Sequence, residues 1–371
     1  MEIQHTVDLR EISMAVIRAG QYPSGAYVAS PTFSQYGYSW MRDGAWIAHA
    51  MLTTGQYDSA TAFHRWAIRT VLHYESRINA LLGKVYAGLL PEETDYMPTR
   101  FTVDSTLGVE VWPDFQLDGY GAWLWVLVQH CRQVTPALWN EALPAVRLLV
   151  RYLEVLWKSP NYDCWEEHRD QVHTSTLAAL YGGLQAVNDY AQRVIPDGLT
   201  AEIKNFVLTY GVDPSYGGLS KFIPASPLPE KAVDASLLWC AVPFGLLPVD
   251  SPVFQATLAR IERDLHVNDG GVYRYRGDTY FGGSEWLLLT AWLGWVYVEL
   301  GRLDEARVLH DWIEAQATSE GYMPEQVHNH MLDASYYEGW VQRWGTSACP
   351  LLWSHAMYLI LNGAIKAALP Q

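Results

Sequence analysis

Residues 286–313 read WLLLTAWLGWVYVELGRLDEARVLHDWI, and two kinds of helix lie side by side in them. Trp286 to Val298 is 13 residues without a charge. A helix apolar on every face is covered on every face, and this one is well short of the roughly 20 residues a membrane span needs. After the short link Gly301-Arg302, Leu303, Ala306, Leu309 and Ile313 recur at helical spacing with Arg, Asp and Glu between them. That second helix keeps one face for solvent.

The same alternation runs through the chain. Apolar segments recur at 44–52, 121–128, 176–187, 235–247 and 351–361. Amphipathic ones include the stripe Phe63, Trp66, Ala67, Val71, Tyr74 and Ile78, with further candidates at 5–18, 136–157, 198–210 and 252–265. Short links such as Thr54-Gly55 follow the apolar helices, and long segments precede them: 19–42, 82–118, 158–173, 211–233, 266–285 and 319–347. About twelve helices in six pairs, with every long loop at one end, predict an all-α fold, an (α/α)6 barrel of six inner and six outer helices. No stretch reads as an interdomain linker, so residues 1–371 are expected to form one catalytic domain, with no β-sandwich domain and no carbohydrate-binding module. Pro144 predicts a kink in its helix, and strand-like alternation is confined to loops, as at Gly271 to Tyr280. Long loops inside a compact domain are where function is expected.

Of the 371 residues, 50% are apolar and 18% charged, which excludes disorder as the main state. A net charge of −15 disfavours nucleic acid and anionic membranes and leaves a small neutral ligand. The 17 Trp and 23 Tyr against 9 Phe join large apolar faces to polar handles, suited to hydroxylated rings or to a large core. Cys131, Cys164, Cys240 and Cys349 form no CxxC pair, and the N-terminus has no basic region followed by an apolar run. A reduced, cytoplasmic protein without metal or cofactor is expected. Oligomeric state leaves no mark on the sequence.

The loops carry the chemistry. Glu166-Glu167 follows Trp165 in YDCWEEHRDQVHTS, and Glu325 stands in SEGYMPEQVHNH. Two carboxyl groups on separate mouth loops can face one cavity, as glycosidic hydrolysis requires: one protonates the leaving oxygen and the other serves as base or nucleophile. Trp165 could be the apolar wall that keeps Glu166 protonated; equally, an acidic pair suits any helix N-terminus. Arg42-Asp43, after Tyr36 and Trp40, offers a donor fork beside an acceptor, fit for adjacent sugar hydroxyls or for a helix start. Trp112 precedes Gln116 and Asp118. Seven tryptophans, Trp40, Trp112, Trp165, Trp286, Trp340, Trp344 and Trp353, fall in or beside the mouth loops. His328-Asn329-His330 is a weak metal pattern without a further ligand nearby, and His355 reads as a pocket or core residue.

Together these motifs resemble glycoside hydrolase family 15, the glucoamylase and glucodextranase type. WxRD at Trp40 to Asp43, WxxxQxDG at Trp112 to Gly119, DxWEE at Asp163 to Glu167, RY then DTYFGG from Arg274 to Gly283, PEQ at Pro324 to Gln326 and LxWSHA from Leu351 to Ala356 occur in the family's order. The resemblance implies an exo-acting, inverting α-glucoside hydrolase releasing β-glucose. Glu166 would be the general acid and Glu325 the general base. Arg42, Asp43, Glu167 and Arg274 would bind hydroxyls, and Tyr36, Trp40, Trp112, Trp165, Tyr280 and Trp353 would wall the pocket. Two departures stand out: Ser284-Glu285-Trp286 where the family commonly reads NPW, and His173 where an aromatic is common. The short form opening with PSGAYVASPTF is most similar to members acting on isomaltose; α-1,4 malto-oligosaccharides and trehalose are the alternatives. Outside the class stand a non-catalytic sugar-binding regulatory module and a polysaccharide lyase, the latter poorly matched to an acidic chain.

Overall fold

The computed structural model describes residues 8–224 and 233–369. Five of its six inner positions are α-helices: α2 (Met41–Thr53), α5 (Asp118–Gln133), α7 (Thr174–Tyr190), α10 (Leu287–Glu299) and α13 (Leu352–Ala368). Between α7 and α10 stands a 3₁₀ segment, Ala235–Cys240. Each packs on the next, and α13 returns to α2, so the ring closes. Outside it lie α1 (Leu9–Ala19), α3 (Tyr57–His73), α6 (Ala137–Leu156), α8 (Leu199–Tyr210), α9 (Pro252–Leu265) and α11 (Leu303–Ala315). Each packs mainly on one inner element, α1 on α13 and the others on the element they follow, with α11 also touching α13. The architecture is an (α/α)6 barrel. Among the described residues no helix is long and apolar enough to cross a membrane.

Sequence chemistry explains the two rings. Two outer helices start on side-chain caps: in α1 Asp8 accepts from the amides of Arg10 and Glu11, and in α9 Ser251 accepts from Phe254, ahead of Pro252 at the first turn. Inner helices α2, α7 and α10 have no such cap. Each is delivered by a two-residue strand: β1 (Ser39–Trp40) pairs with β2 (Arg100–Phe101), β3 (Val172–His173) with β4 (Phe222–Ile223), and β5 (Glu285–Trp286) with β6 (Gln326–Val327). These antiparallel clips tie the six mouth loops together two by two. Lower down, Trp46, Trp239 and Trp292 fill the barrel axis, with Trp292 4.6 Å from Trp46 and 5.1 Å from Trp239. Where α5 and α7 meet, a methyl on Gly183 would lie 2.2 Å from the carbonyl oxygen of Gly121, so the close approach needs glycine there.

Three expectations need correction. The apolar run 235–247 is not an α-helix: it leaves the 3₁₀ segment at Cys240, before Pro243, which has no amide to donate and disfavours helical geometry in Val242. The Val242 carbonyl accepts the Trp292 indole N–H at 2.8 Å instead. The outer stripe 63–78 spans two helices, α3 and α4 (Glu75–Tyr86), broken at Tyr74, so the second long loop begins later than residue 82. The last loop contains a further helix, α12 (Tyr337–Trp344). Gly271 to Tyr280 lies in a loop, as the sequence reading has it, where Val272 forms isolated bridges to His266 and Trp286. Helix α6 continues past Pro144 as one element, and residues 5–7 of the first predicted helix lie outside the described residues.

Candidate active site

A cavity of about 280 Å³ opens at the loop end of the barrel, and all twelve residues singled out from the sequence line it. So do all seven mouth tryptophans, including Trp286, Trp340 and Trp344.

Glu166 reaches the cavity from an irregular turn with a left-handed backbone, φ 66°, followed by His168 at φ 53°. Its Oε1 accepts the Trp40 indole N–H at 2.6 Å and lies 3.8 Å from the Arg42 guanidinium. Burial raises its carboxyl to about 7 against the pull of Arg42 and Trp40. Glu325 stands across the cavity, one residue before β6. Its Oε1 accepts the Tyr36 hydroxyl at 3.1 Å, and that hydroxyl pairs with the Tyr280 hydroxyl at 2.9 Å. Its Oε2 is buried without a protein partner. Burial raises this carboxyl to about 7 as well, opposed by Tyr36 and Arg274. Tyr36 and Trp40 meet edge to face at 5.9 Å, so one aromatic corner contacts both carboxyl groups.

Around this pair lie two buried guanidinium forks. Arg42, in the first turn of α2, donates to Gln116 Oε1 at 2.6 Å and Asp118 Oδ2 at 3.3 Å, with Asp43 3.7 Å from its Nε. Asp43 is raised to about 6 by burial, despite Arg42. Arg274 is held by both oxygens of Asp278, at 2.7 and 2.5 Å, and turns one nitrogen to Glu167 Oε1 at 3.4 Å. The second oxygen of Glu167 accepts the Tyr275 hydroxyl at 2.6 Å. Trp165, Tyr280 and Trp286 surround the Arg274 guanidinium at 5.2 to 5.5 Å. Trp353 lies 5.6 Å from Arg42 and rests on Trp292, which joins the pocket to the packed axis. Acceptors, donor forks and aromatic faces around two carboxyl groups raised toward neutral pH suit a neutral, hydroxylated ring and acid–base chemistry at it.

Several contributors escaped the sequence reading. Tyr275 and Asp278, one and four residues after Arg274, lie within the RY and DTYFGG motifs, which alone assign them no role. Lys221, in the fourth long segment, and Asp234, just after it, hold the Glu166 loop where no motif marks them. His328 pairs with the Ser284 hydroxyl at 3.1 Å and His330 with the buried Glu285 at 3.2 Å. His173 contacts the Asn161 and His168 carbonyls at 2.9 and 3.0 Å. His355 is core: its Nε2 accepts the Met323 amide and its Nδ1 meets the Ser13 hydroxyl.

The sequence model of glycosyl hydrolases family 15 matches residues 3–362. The isomaltose glucohydrolase of Kribbella flavida is 42% identical over 371 residues, covering 97% of this chain and 93% of its own. A trehalase of Thermoplasma acidophilum is 27% identical, covering 82% of this chain and 55% of its own. Among solved structures, a wild-type glycosidase superposes with a TM-score of 0.91 at 41% identity, covering 98% of this chain and 97% of that one.

Proposed function

The chain belongs to glycosyl hydrolases family 15, and from that premise we propose that it is an exo-acting, inverting glucohydrolase that removes glucose from the non-reducing end of isomaltose and short α-1,6 oligosaccharides. One observation carries the chemistry: two glutamates from different loops, Glu325 buried and Glu166 half-buried, share one aromatic-walled cavity, and desolvation raises each to about 7. The linkage follows the relative named isomaltose glucohydrolase, whose identity to this chain runs over nearly the full length of both. The trehalase relative is more distant and the chain spans about half of it.

In the working state the pair carries one proton, on Glu166. Glu325 is the carboxylate. The Tyr36 hydroxyl donates to its Oε1, which favours the charged form, and its unpaired Oε2 is the atom free to take a proton from water. Glu166 passes its proton to the glycosidic oxygen, while the Trp40 N–H steadies the carboxylate that this leaves. Arg42, Asp43, Arg274 and Glu167 bind the hydroxyls of the terminal ring, and Tyr36, Trp40, Trp112, Trp165, Tyr280 and Trp353 wall it in. Water attacks the face opposite the leaving group and gives β-glucose. That displacement requires the carboxyl groups to stand about 6.5–9.5 Å apart. One domain does all of this, since the site runs from Tyr36 to Trp353.

The test is NMR of the first anomer released, on isomaltose, maltose and trehalose in parallel. β-Glucose appearing first, and fastest from isomaltose, is expected. α-Glucose first would overturn inversion; faster turnover of maltose or trehalose would overturn the linkage; sugar binding with no release would leave a binding module.

A further inference from the structure

Lys221 has no part in the chemistry above, yet its side chain is buried, the residue being 2% exposed. Its ammonium lies 3.0 Å from Asp163 Oδ2 and 2.8 Å from Asp234 Oδ2. Each carboxylate grips the segment that carries Glu166. Asp163 Oδ1 accepts the backbone amides of Trp165 and Glu167 at 3.0 and 2.9 Å. Asp234 accepts the Trp165 indole N–H at 3.1 and 3.0 Å, and the Ser236 amide at 2.8 Å. Trp165 is therefore tied by its backbone to one carboxylate and by its ring to another, and a single cation joins the two. The ammonium also sits 4.2 Å from the centre of the Tyr275 ring, whose hydroxyl donates to Glu167. Its own backbone is fixed beside the ladder that closes the Glu166 loop: the Lys221 carbonyl accepts the Thr174 amide at 3.0 Å, and Phe222 pairs with His173.

The segment needs such support. Left-handed backbone at Glu166 and His168, neither of them glycine, persists only where the surroundings over-determine it. Two buried carboxylates without a cation would repel each other and relax toward water. A lysine suits the position because a compact point charge meets two separate oxygens, where a guanidinium would present a planar fork.

We propose that Lys221 is the positioning residue of the acid arm: by bridging Asp163 and Asp234 it fixes the Trp165–Glu167 segment so that the Glu166 carboxyl is presented to the glycosidic oxygen. This rests on Glu166 being the general acid. The experiment separates the two ideas by using two substrates, isomaltose and α-glucosyl fluoride, whose leaving group needs little protonation. Turnover is measured for the whole chain as wild type, Lys221→Met, Asp234→Asn and Glu166→Gln, with near-UV circular dichroism and Tm as the check on folding.

Lys221→Met is expected to lose about 100-fold in kcat on isomaltose and less than about fivefold on the fluoride, the same bias as Glu166→Gln. Asp234→Asn, which leaves Lys221 paired with Asp163, loses about tenfold with the same bias. A residue that only supports the fold would depress both substrates alike. Wild-type isomaltose turnover in Glu166→Gln overturns the reading of Glu166. If Glu166→Gln shows the bias while folded Lys221→Met keeps wild-type turnover, or loses both substrates equally, the role of Lys221 is overturned. Should Lys221→Met fail to fold, Asp234→Asn decides by the same criterion.

Discussion

The two carboxyl arms differ less in what buries them than in what touches them. Glu166 and Glu325 are both raised to about 7, and burial is the leading cause in each. Glu166, however, has an indole N–H at 2.6 Å and a guanidinium at 3.8 Å, on a backbone turned left-handed and held by a buried ion cluster. Glu325 has a phenol on one oxygen and no protein partner on the other, on the residue just before a strand clip. Burial alone makes two interchangeable acids. Donor placement and free lone pairs divide the labour, so the comparison is testable at the contacts rather than at the carboxyls' intrinsic acidity.

The largest effect is expected from neutralising the arms themselves. Glu325→Gln should lower kcat on isomaltose by about 10³-fold or more, and Glu166→Gln by about 10²–10⁴-fold, with KM changing far less. An activated α-glucosyl fluoride breaks the symmetry: it should recover most of the loss in Glu166→Gln and little in Glu325→Gln. Recovery in both, or in neither, would erase the distinction between acid and base. Next comes Trp40→Phe, which removes the donor to Glu166 Oε1. That hydrogen bond favours the charged form, so its loss raises the Glu166 pKa and moves the alkaline limb of the kcat/KM profile upward by about one pH unit, with kcat down about tenfold. The acid limb, set by Glu325, should stay in place. A downward move of the alkaline limb would mean that Trp40 does not act on the acid.

The barrel and most of its mouth could be read in the sequence because both rest on local rules. Apolar runs and amphipathic stripes report burial directly, and WxRD, WEE and PEQ place each polar group beside an aromatic within its own loop. What escaped was long-range or conformational. The run 235–247 had the right composition for an inner helix, but apolar content cannot distinguish an α-helix from a 3₁₀ segment ended near Pro243. Trp340 and Trp344 were placed at the mouth without the helix α12 that carries both. Lys221 and Asp234 reach Asp163 and Trp165 across some 58 and 69 positions. No spacing rule connects a lysine in one loop to a glutamate loop so far away; only the β3–β4 ladder, invisible as a pattern in two-residue strands, brings them together.

The smallest expected effect lies in stability and comes from the same two side chains. A carboxyl near 4.5 in the unfolded chain and about 7 in the folded one binds its proton more tightly when folded. Its contribution is fully present below the unfolded value and is lost as pH rises through the folded one, here between about pH 4.5 and 7. Above that window each arm holds a buried charge that destabilises the fold by ~1–3 kcal/mol. Glu166→Gln and Glu325→Gln should therefore raise Tm by a few degrees at most at pH 8 and leave it unchanged at pH 4. The contacts predict an order. Removing Glu166 strips Arg42 of one of three carboxylate neighbours, Asp43 and Asp118 being the others, whereas Glu325 lies within ion-pair distance of no cation among the described residues. Glu325→Gln should gain more. Equal gains would mean that burial alone sets the energetics of both arms, and a larger gain in Glu166→Gln would mean that the Arg42 contact stabilises nothing. Tm of both variants at pH 4 and pH 8 measures this directly.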